Sequence, residues 1–197
     1  MKKNSHNNIK ALKSKNFSLF TFHFSLSGGL TLVELLIVIA IISLLISGLV
    51  VVINPLQKIG QAQDAKRKSD LTQLKRALEI YYQDNGKYPS SSGAYKITDV
   101  SEKNWGTSWS PYISILPQDP ASGNTYVYYT PNNGSCANYQ CYYIFANLQR
   151  GGSDTQACFP PSSATPGAAC TNAALYSLSN SCGATCNYGI SSPNTTP

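Results

Sequence analysis

Six cysteines, two histidines and one acid at the edge of an apolar run are the residues whose types and spacing bear on chemistry. The cysteines, Cys136, Cys141, Cys158, Cys170, Cys182 and Cys186, all fall in the last third of the chain. They form no Cys-x-x-Cys pair and have no histidine nearby, which disfavours a zinc site. An even number of thiols in a polar region fits disulfides made in an oxidising compartment. Cys136–Cys141 and Cys182–Cys186 are the short pairs, although six thiols allow many connectivities and the sequence does not choose among them. Both histidines, His6 and His23, precede the apolar run. Residues 30–197 therefore lack an imidazole for a triad, a zinc site or general-base work. No nucleophile with a matching base can be assembled there either, so no enzyme is expected. A phosphate-binding loop is also missing, so any ATP-driven step needs a separate ATPase. The acid is Glu34, which stands directly before Leu35–Ile53.

The elements that must position these groups follow from charge and hydropathy. The 197 residues carry a net charge of +6, with 42% hydrophobic and 12% charged residues, a balance opposite to that of disordered chains. Lys2, Lys3, Lys10, Lys13 and Lys15 lie in residues 1–29, which contain no acid; the remainder holds ten bases and nine acids. The basic character thus belongs to the N-terminus, and no nucleic-acid partner is expected. Leu35–Ile53 runs for 19 positions without a charge, and 15 of them are Leu, Ile or Val. That is enough to cross a bilayer as a helix. The run favours insertion by on the order of 6 kcal/mol, more than the ~3 kcal/mol an embedded acid would cost. The upstream lysines should stay cytoplasmic, which sends the rest of the chain across the membrane. A cleaved secretory signal would have a shorter apolar core and a small-residue site after it. A plain signal anchor explains the run but not the residues before it.

Those residues, Ser27-Gly28-Gly29-Leu30-Thr31-Leu32-Val33-Glu34-Leu35-Leu36, resemble the processing motif of type IV prepilins and type II secretion pseudopilins. The resemblance implies a basic leader over 1–29 and a cut between Gly29 and Leu30 by a prepilin peptidase. It further implies N-methylation of Leu30 and an acid, Glu34, at the fifth mature position. Leu30 stands where the family more often has Phe. A carboxylate in a lipid setting is unfavourable unless paired. The amine freed on Leu30 of a neighbouring chain is a fitting mate, so Glu34 is read as an assembly and register residue.

Downstream, Leu71, Leu74, Leu78 and Tyr81, with Ala77 beside them, make an apolar stripe at helical spacing. Asp64 with Lys68, Lys66 with Asp70, and Arg76 with Glu79 stand three or four apart and read as a solvated face with local ion pairs. Pro55 predicts a kink in a helix that otherwise runs to Asp84-Asn85-Gly86. The 55 residues from Leu30 to Asp84 would span about 82 Å if wholly helical, which suits a filament core. The segments are thus a transmembrane half over 30–53, an amphipathic half over 54–84, an exported α/β-roll domain over 85–159 and a cysteine-containing polar tail over 160–197. Residues 86–110 read as loop with Trp105 and Trp109 as anchors. Tyr126–Tyr129 and Tyr142–Phe145 read as strands of a hairpin that a Cys136–Cys141 bridge would staple. The tail has little strand or helix period and reads as cross-linked loops fraying from Ser191.

The fold expected is α+β: a long N-terminal helix packed on a small antiparallel sheet, with disulfide-rich C-terminal loops. Tyr81–Pro89 and Leu116-Pro117-Gln118-Asp119-Pro120 with Gly123-Asn124 and Tyr126–Tyr128 are similar to major pseudopilins. The resemblance implies a structural subunit of a type II secretion pseudopilus that exports protein. Its partners would be prepilin peptidase, copies of itself and related pilins, and an inner-membrane platform with its ATPase. It also implies a single inner-membrane span with an extracytoplasmic C-terminal domain, in a periplasmic or surface filament. A surface type IV pilin for adhesion, motility or DNA uptake and a monomeric anchored binding module are the alternatives. Many major pseudopilins hold calcium in their C-terminal loops. Past Leu116 this chain offers only Asp119 and Asp154 as carboxylates, too few for a calcium cage, so no cofactor is expected. Disulfides are expected to hold those loops instead.

Overall fold

The computed structural model describes residues 29, 31–159 and 162–197. The described chain divides after Gly48 into two units. Helix α1 (Leu32–Ile53) is built almost wholly of Leu, Ile and Val and satisfies its backbone internally. From Leu32 to Leu49 its side chains are exposed, ranging among the large apolar residues from Leu32 at 80% to Val38 at 45%. So apolar and exposed a helical surface is suited to lipid or to other chains.

Helix α2 (Pro55–Asn85) begins with proline at its first position, where the missing N–H is not needed. It ends at Gly86, whose φ of 68° and N–H to the Tyr82 carbonyl close the last turn. Its stripe of Leu71, Leu74, Ala77, Leu78 and Tyr81 is buried, as the spacing predicts. The stripe lies on a three-stranded antiparallel sheet in the order β3 (Val127–Tyr129), β4 (Tyr143–Ala146), β5 (Tyr188–Ser191). The register places Val127 opposite Phe145 and Ile144 opposite Ile190. A two-stranded ribbon, β1 (Ser90–Ser91) with β2 (Ile97–Thr98), forms inside the stretch expected as loop. Trp109 is buried there against Tyr81, and half-buried Trp105 meets Tyr126 edge-on at 5.9 Å.

All four residues of β4 are buried, because the sheet is covered on both faces. Ile144 and Ala146 point into the core shared with α2 and Tyr128. Tyr143 and Phe145, one residue out of phase, enter a second core with Val127, Cys170, Ala173, Leu178, Cys182 and Cys186. Alternation along the strand sends successive side chains to opposite faces. The second cover adds regular structure to a segment, 160–197, that reads from sequence as cross-linked loops fraying from Ser191. That segment supplies α3 (Thr171–Leu175) and the edge strand β5, within the unit that starts at Leu49. Its covalent ties are Cys158–Cys170 and Cys182–Cys186, while Cys136–Cys141 closes the β3–β4 connection. Gly183 lies between the last pair at φ 80°, and a Cβ there would stand 2.0 Å from the Gly123 carbonyl oxygen. Only glycine lets that loop approach the 123–124 backbone so closely.

Candidate functional site

The entrance to α1 is built by Thr31 and Glu34. The Thr31 carbonyl accepts the Leu35 N–H at 3.1 Å, and its Oγ1 accepts the Glu34 N–H at 3.2 Å. Threonine followed three residues later by glutamate is a helix-start pair, and an acid in the first turn is favoured by the helix dipole. Glu34 is exposed, at the foot of an apolar helix. Gly29 is exposed too, whereas Leu30 and the leader residues 1–28 lie outside the described residues.

Between α1 and α2 stands Asn54 at φ 44°, ψ 73°, a left-handed conformation that asparagine tolerates better than most residues. Pro55 excludes a helical Asn54 by its ring, which is why the break falls here. Leu56 and Ile59, in the first turns of α2, remain exposed.

A buried ionic cluster joins α2 to the loops after it. Arg67 is wholly buried. Its Nε and Nη2 donate to Asp119 Oδ2 and Oδ1, both at 2.8 Å, and its Nη1 donates to Asp64 Oδ1 at 2.8 Å. Asp64 also accepts the backbone N–H groups of Gln149 and Arg150, both at 2.9 Å, and Asp119 accepts that of Ala121 at 2.8 Å. Beside them Asp70 accepts the Tyr126 hydroxyl at 2.7 Å and Lys66 at 2.6 Å. Burial weakens the Arg67 charge, but the bonds and charges of Asp119 and Asp64 outweigh that and raise its pKa. The next residue after Arg67, Lys68, holds both oxygens of Asp154 at 2.8 and 2.6 Å and lies over the Tyr188 ring. Burial of Asp154 opposes its charge, and the Lys68 bond overcomes this and keeps its carboxyl below the usual range.

The cluster corrects the reading of 64–70 as a solvated face. Asp64, Arg67 and Asp70 are buried, and Lys68 pairs with Asp154 rather than Asp64. Only Lys66–Asp70 forms as the spacing suggests. Charges three apart in a helix do not reveal whether a distant acid will cover them, and Asp119 is 52 positions away. Glu79 serves tyrosines rather than Arg76: its oxygens accept the Tyr142 and Tyr88 hydroxyls at 3.0 and 3.1 Å.

The carboxylates implied for a calcium ion do not fit one. Asp119 and Asp154 are taken up by Arg67 and Lys68, and N–H donors rather than free oxygens surround Asp64 and Asp119. Among the described residues no group of three or more His, Cys, Asp or Glu is placed to hold a metal.

Comparison with known proteins gives a consistent result. The family described as "Type II secretion system (T2SS), protein G" matches residues 54–159. The chain is similar to the type II secretion system core protein G of Pseudomonas aeruginosa, 31% identical over 135 residues, covering 66% of this chain and 90% of the relative. The protein of the same name from Vibrio cholerae is 33% identical over 134 residues, 66% of this chain and 87% of that one. The Escherichia coli protein of that name is 35% identical over 109 residues, 52% of this chain and 72% of that one. No solved structure matches.

Proposed function

We propose a role from one premise: the chain belongs to the type II secretion system protein G family. It is a structural subunit, not an enzyme, that polymerises with copies of itself and related subunits into a membrane-rooted pseudopilus serving protein export. The observation that carries this is α1. Residues 32–49 of this 22-residue helix are almost all apolar and all exposed, and so large an apolar surface needs an environment other than water. Lipid supplies that environment before assembly, and the α1 helices of other subunits supply it afterwards.

In this reading a prepilin peptidase cuts after Gly29 and Leu30 becomes the methylated first residue. The lysines of the leader face the cytoplasm before cleavage, and the domain that follows the membrane helix lies on the extracytoplasmic side of the inner membrane. The new Leu30 amine pairs with Glu34 of an adjoining subunit, which removes two unfavourable charges from the lipid region in one contact. An inner-membrane platform and its separate ATPase drive the addition of subunits.

Intact-mass analysis of the protein from native membranes tests the processing step. The expected mass begins at Leu30 with one added methyl group, and a chain retaining residues 1–29 contradicts the reading. Glu34→Ala should leave membrane insertion unchanged and lower filament incorporation at least about tenfold, as loss of a pair worth over about 1.4 kcal/mol requires. A monomeric anchored module would show no difference between that variant and wild type.

A further inference from the structure

We propose that the outer domain is a substrate of a thiol–disulfide oxidase, which closes its bridges before the domain folds, each cysteine with the next along the chain, so that no isomerase is needed to correct them. The inference rests on the reading that this domain is exported to an oxidising compartment. The observed pairing is first with second, third with fourth and fifth with sixth: Cys136–Cys141, Cys158–Cys170 and Cys182–Cys186. No bridge spans or crosses another. Of the fifteen connectivities open to six thiols, this is the one in which every cysteine joins its immediate neighbour in sequence.

Two features of the fold lead to this order of events. Cys141, Cys170, Cys182 and Cys186 are wholly buried and Cys136 nearly so, out of reach of an enzyme once the domain has closed. Enzymatic oxidation therefore precedes folding. Four thiols also share one core: Cys170, Cys182 and Cys186 lie in it, Cys158 packs against it, and the Cys170 N–H donates to the Cys186 carbonyl at 2.9 Å. Nearness in space would allow mispairing there, whereas nearness in sequence opposes it. The native bridges of that core close separations of 12 and 4 residues. Cys158–Cys182 with Cys170–Cys186 would close 24 and 16, and Cys158–Cys186 with Cys170–Cys182 would close 28 and 12. Closure probability falls about as the three-halves power of loop length, which disfavours each alternative roughly twentyfold. By the same rule Cys141 prefers Cys136, 5 residues away, to Cys158, 17 away, by about sixfold. At each bridge one thiolate attacks the oxidase disulfide and displaces a thiolate of the enzyme. The next cysteine then attacks the mixed disulfide, and the oxidase leaves as a dithiol carrying two electrons and two protons.

The test oxidises the reduced full chain in concentrated urea and detergent with oxidised glutathione and no isomerase, blocks remaining thiols by alkylation and maps the bridges by peptide mass spectrometry. With no fold present, the map reads chain locality alone. The native three bridges should occur in more than half of the fully oxidised molecules, against one in fifteen for random pairing. Half or less would overturn the proposal, because the fold or an isomerase would then have to select the pairs. A second arm maps the protein made in cells lacking a disulfide isomerase and in cells lacking the thiol oxidase. The first should give the native map, and the second should leave most of the thiols free. A scrambled map in the first, or wild-type bridging in the second, would equally overturn it. Wrong pairing leaves the filament reading intact, whereas six free thiols in cells that hold the oxidase would contradict export as well.

Discussion

Glu34 carries two separable interactions, one within the chain and one proposed between chains. Within the chain it is the third residue after Thr31, whose hydroxyl accepts the Glu34 N–H, and its charge lies at the positive end of α1. A cap of this kind contributes about 1 kcal/mol to a helix. The pairing with a neighbouring amine involves the carboxylate and is worth more in lipid, where an unpaired charge is more unfavourable. Thr31→Val separates them, since it deletes the capping oxygen and leaves the carboxylate untouched. Filament yield in Thr31→Val should stay within about fivefold of wild type, the effect of about 1 kcal/mol, by quantitative blotting of sheared filaments. An equal collapse in Thr31→Val and Glu34→Ala would show that the helix start, not the charge pair, limits assembly.

The elements differ in how far the sequence alone discloses them, and the differences have physical causes. The α2 stripe was readable because helical periodicity is a local property of five residues, and its end was marked by Asn85-Gly86. The β3–β4 pairing was readable from aromatic runs on either side of a turn. By contrast β5 is Tyr-Gly-Ile-Ser, too short and mixed to show a period, and its place depends on a β4 edge some 45 positions upstream. A clue did exist in Tyr142–Ala146: an apolar run without polar alternation needs cover on both faces, so one helix could not be the whole core. The buried cluster was hidden for a related reason, because charged residues at helical spacing look the same whether water or Asp119 completes them. The C-terminal cover should therefore be a real stabilising layer and not an appendage. Cys158→Ser with Cys170→Ser opens the longest of the three disulfide loops, with a separation of 12. Chain entropy assigns that loop about 3 kcal/mol and the two shorter ones nearer 2 kcal/mol each. Urea titration of the double variant should lose about that amount, with a midpoint lower than that of Cys136→Ser with Cys141→Ser.

At the scale of the whole outer unit, the controlling feature is a core in which tyrosines do much of the packing. Tyr81, Tyr88, Tyr126, Tyr128 and Tyr142 are all buried in the layer between α2 and the sheet. Burial is the first cause that raises each of their pKa values; for Tyr81 and Tyr142 a carboxylate follows, Asp99 and Glu79 respectively. Asp70 acts likewise on Tyr126, again through a hydroxyl that donates to an already charged acid. Tyr81 is pushed up to about 12 from the ordinary 10.0, and Tyr88, Tyr126, Tyr128 and Tyr142 rise as well. Each folded phenol thus keeps its proton where the unfolded chain has lost it. The sign follows from linkage: their contribution is complete below pH 10 and disappears as pH climbs from 10 through the folded values, about 12 for Tyr81. Every such phenol removes about 1.4 kcal/mol per pH unit in that window, so a few of them exhaust a typical folding free energy within one or two units. The Lys68–Asp154 pair has the opposite sense, because its depressed carboxyl adds stability near neutrality that is lost only as acid protonates it. Denaturant midpoints should accordingly be flat through neutral pH and fall steeply above about pH 10. In a spectrophotometric titration the tyrosinate absorbance of these residues should appear together with loss of the near-ultraviolet circular dichroism. A folded protein whose full complement of tyrosines ionises near pH 10 without that loss would mean the phenols are not sealed between α2 and the sheet.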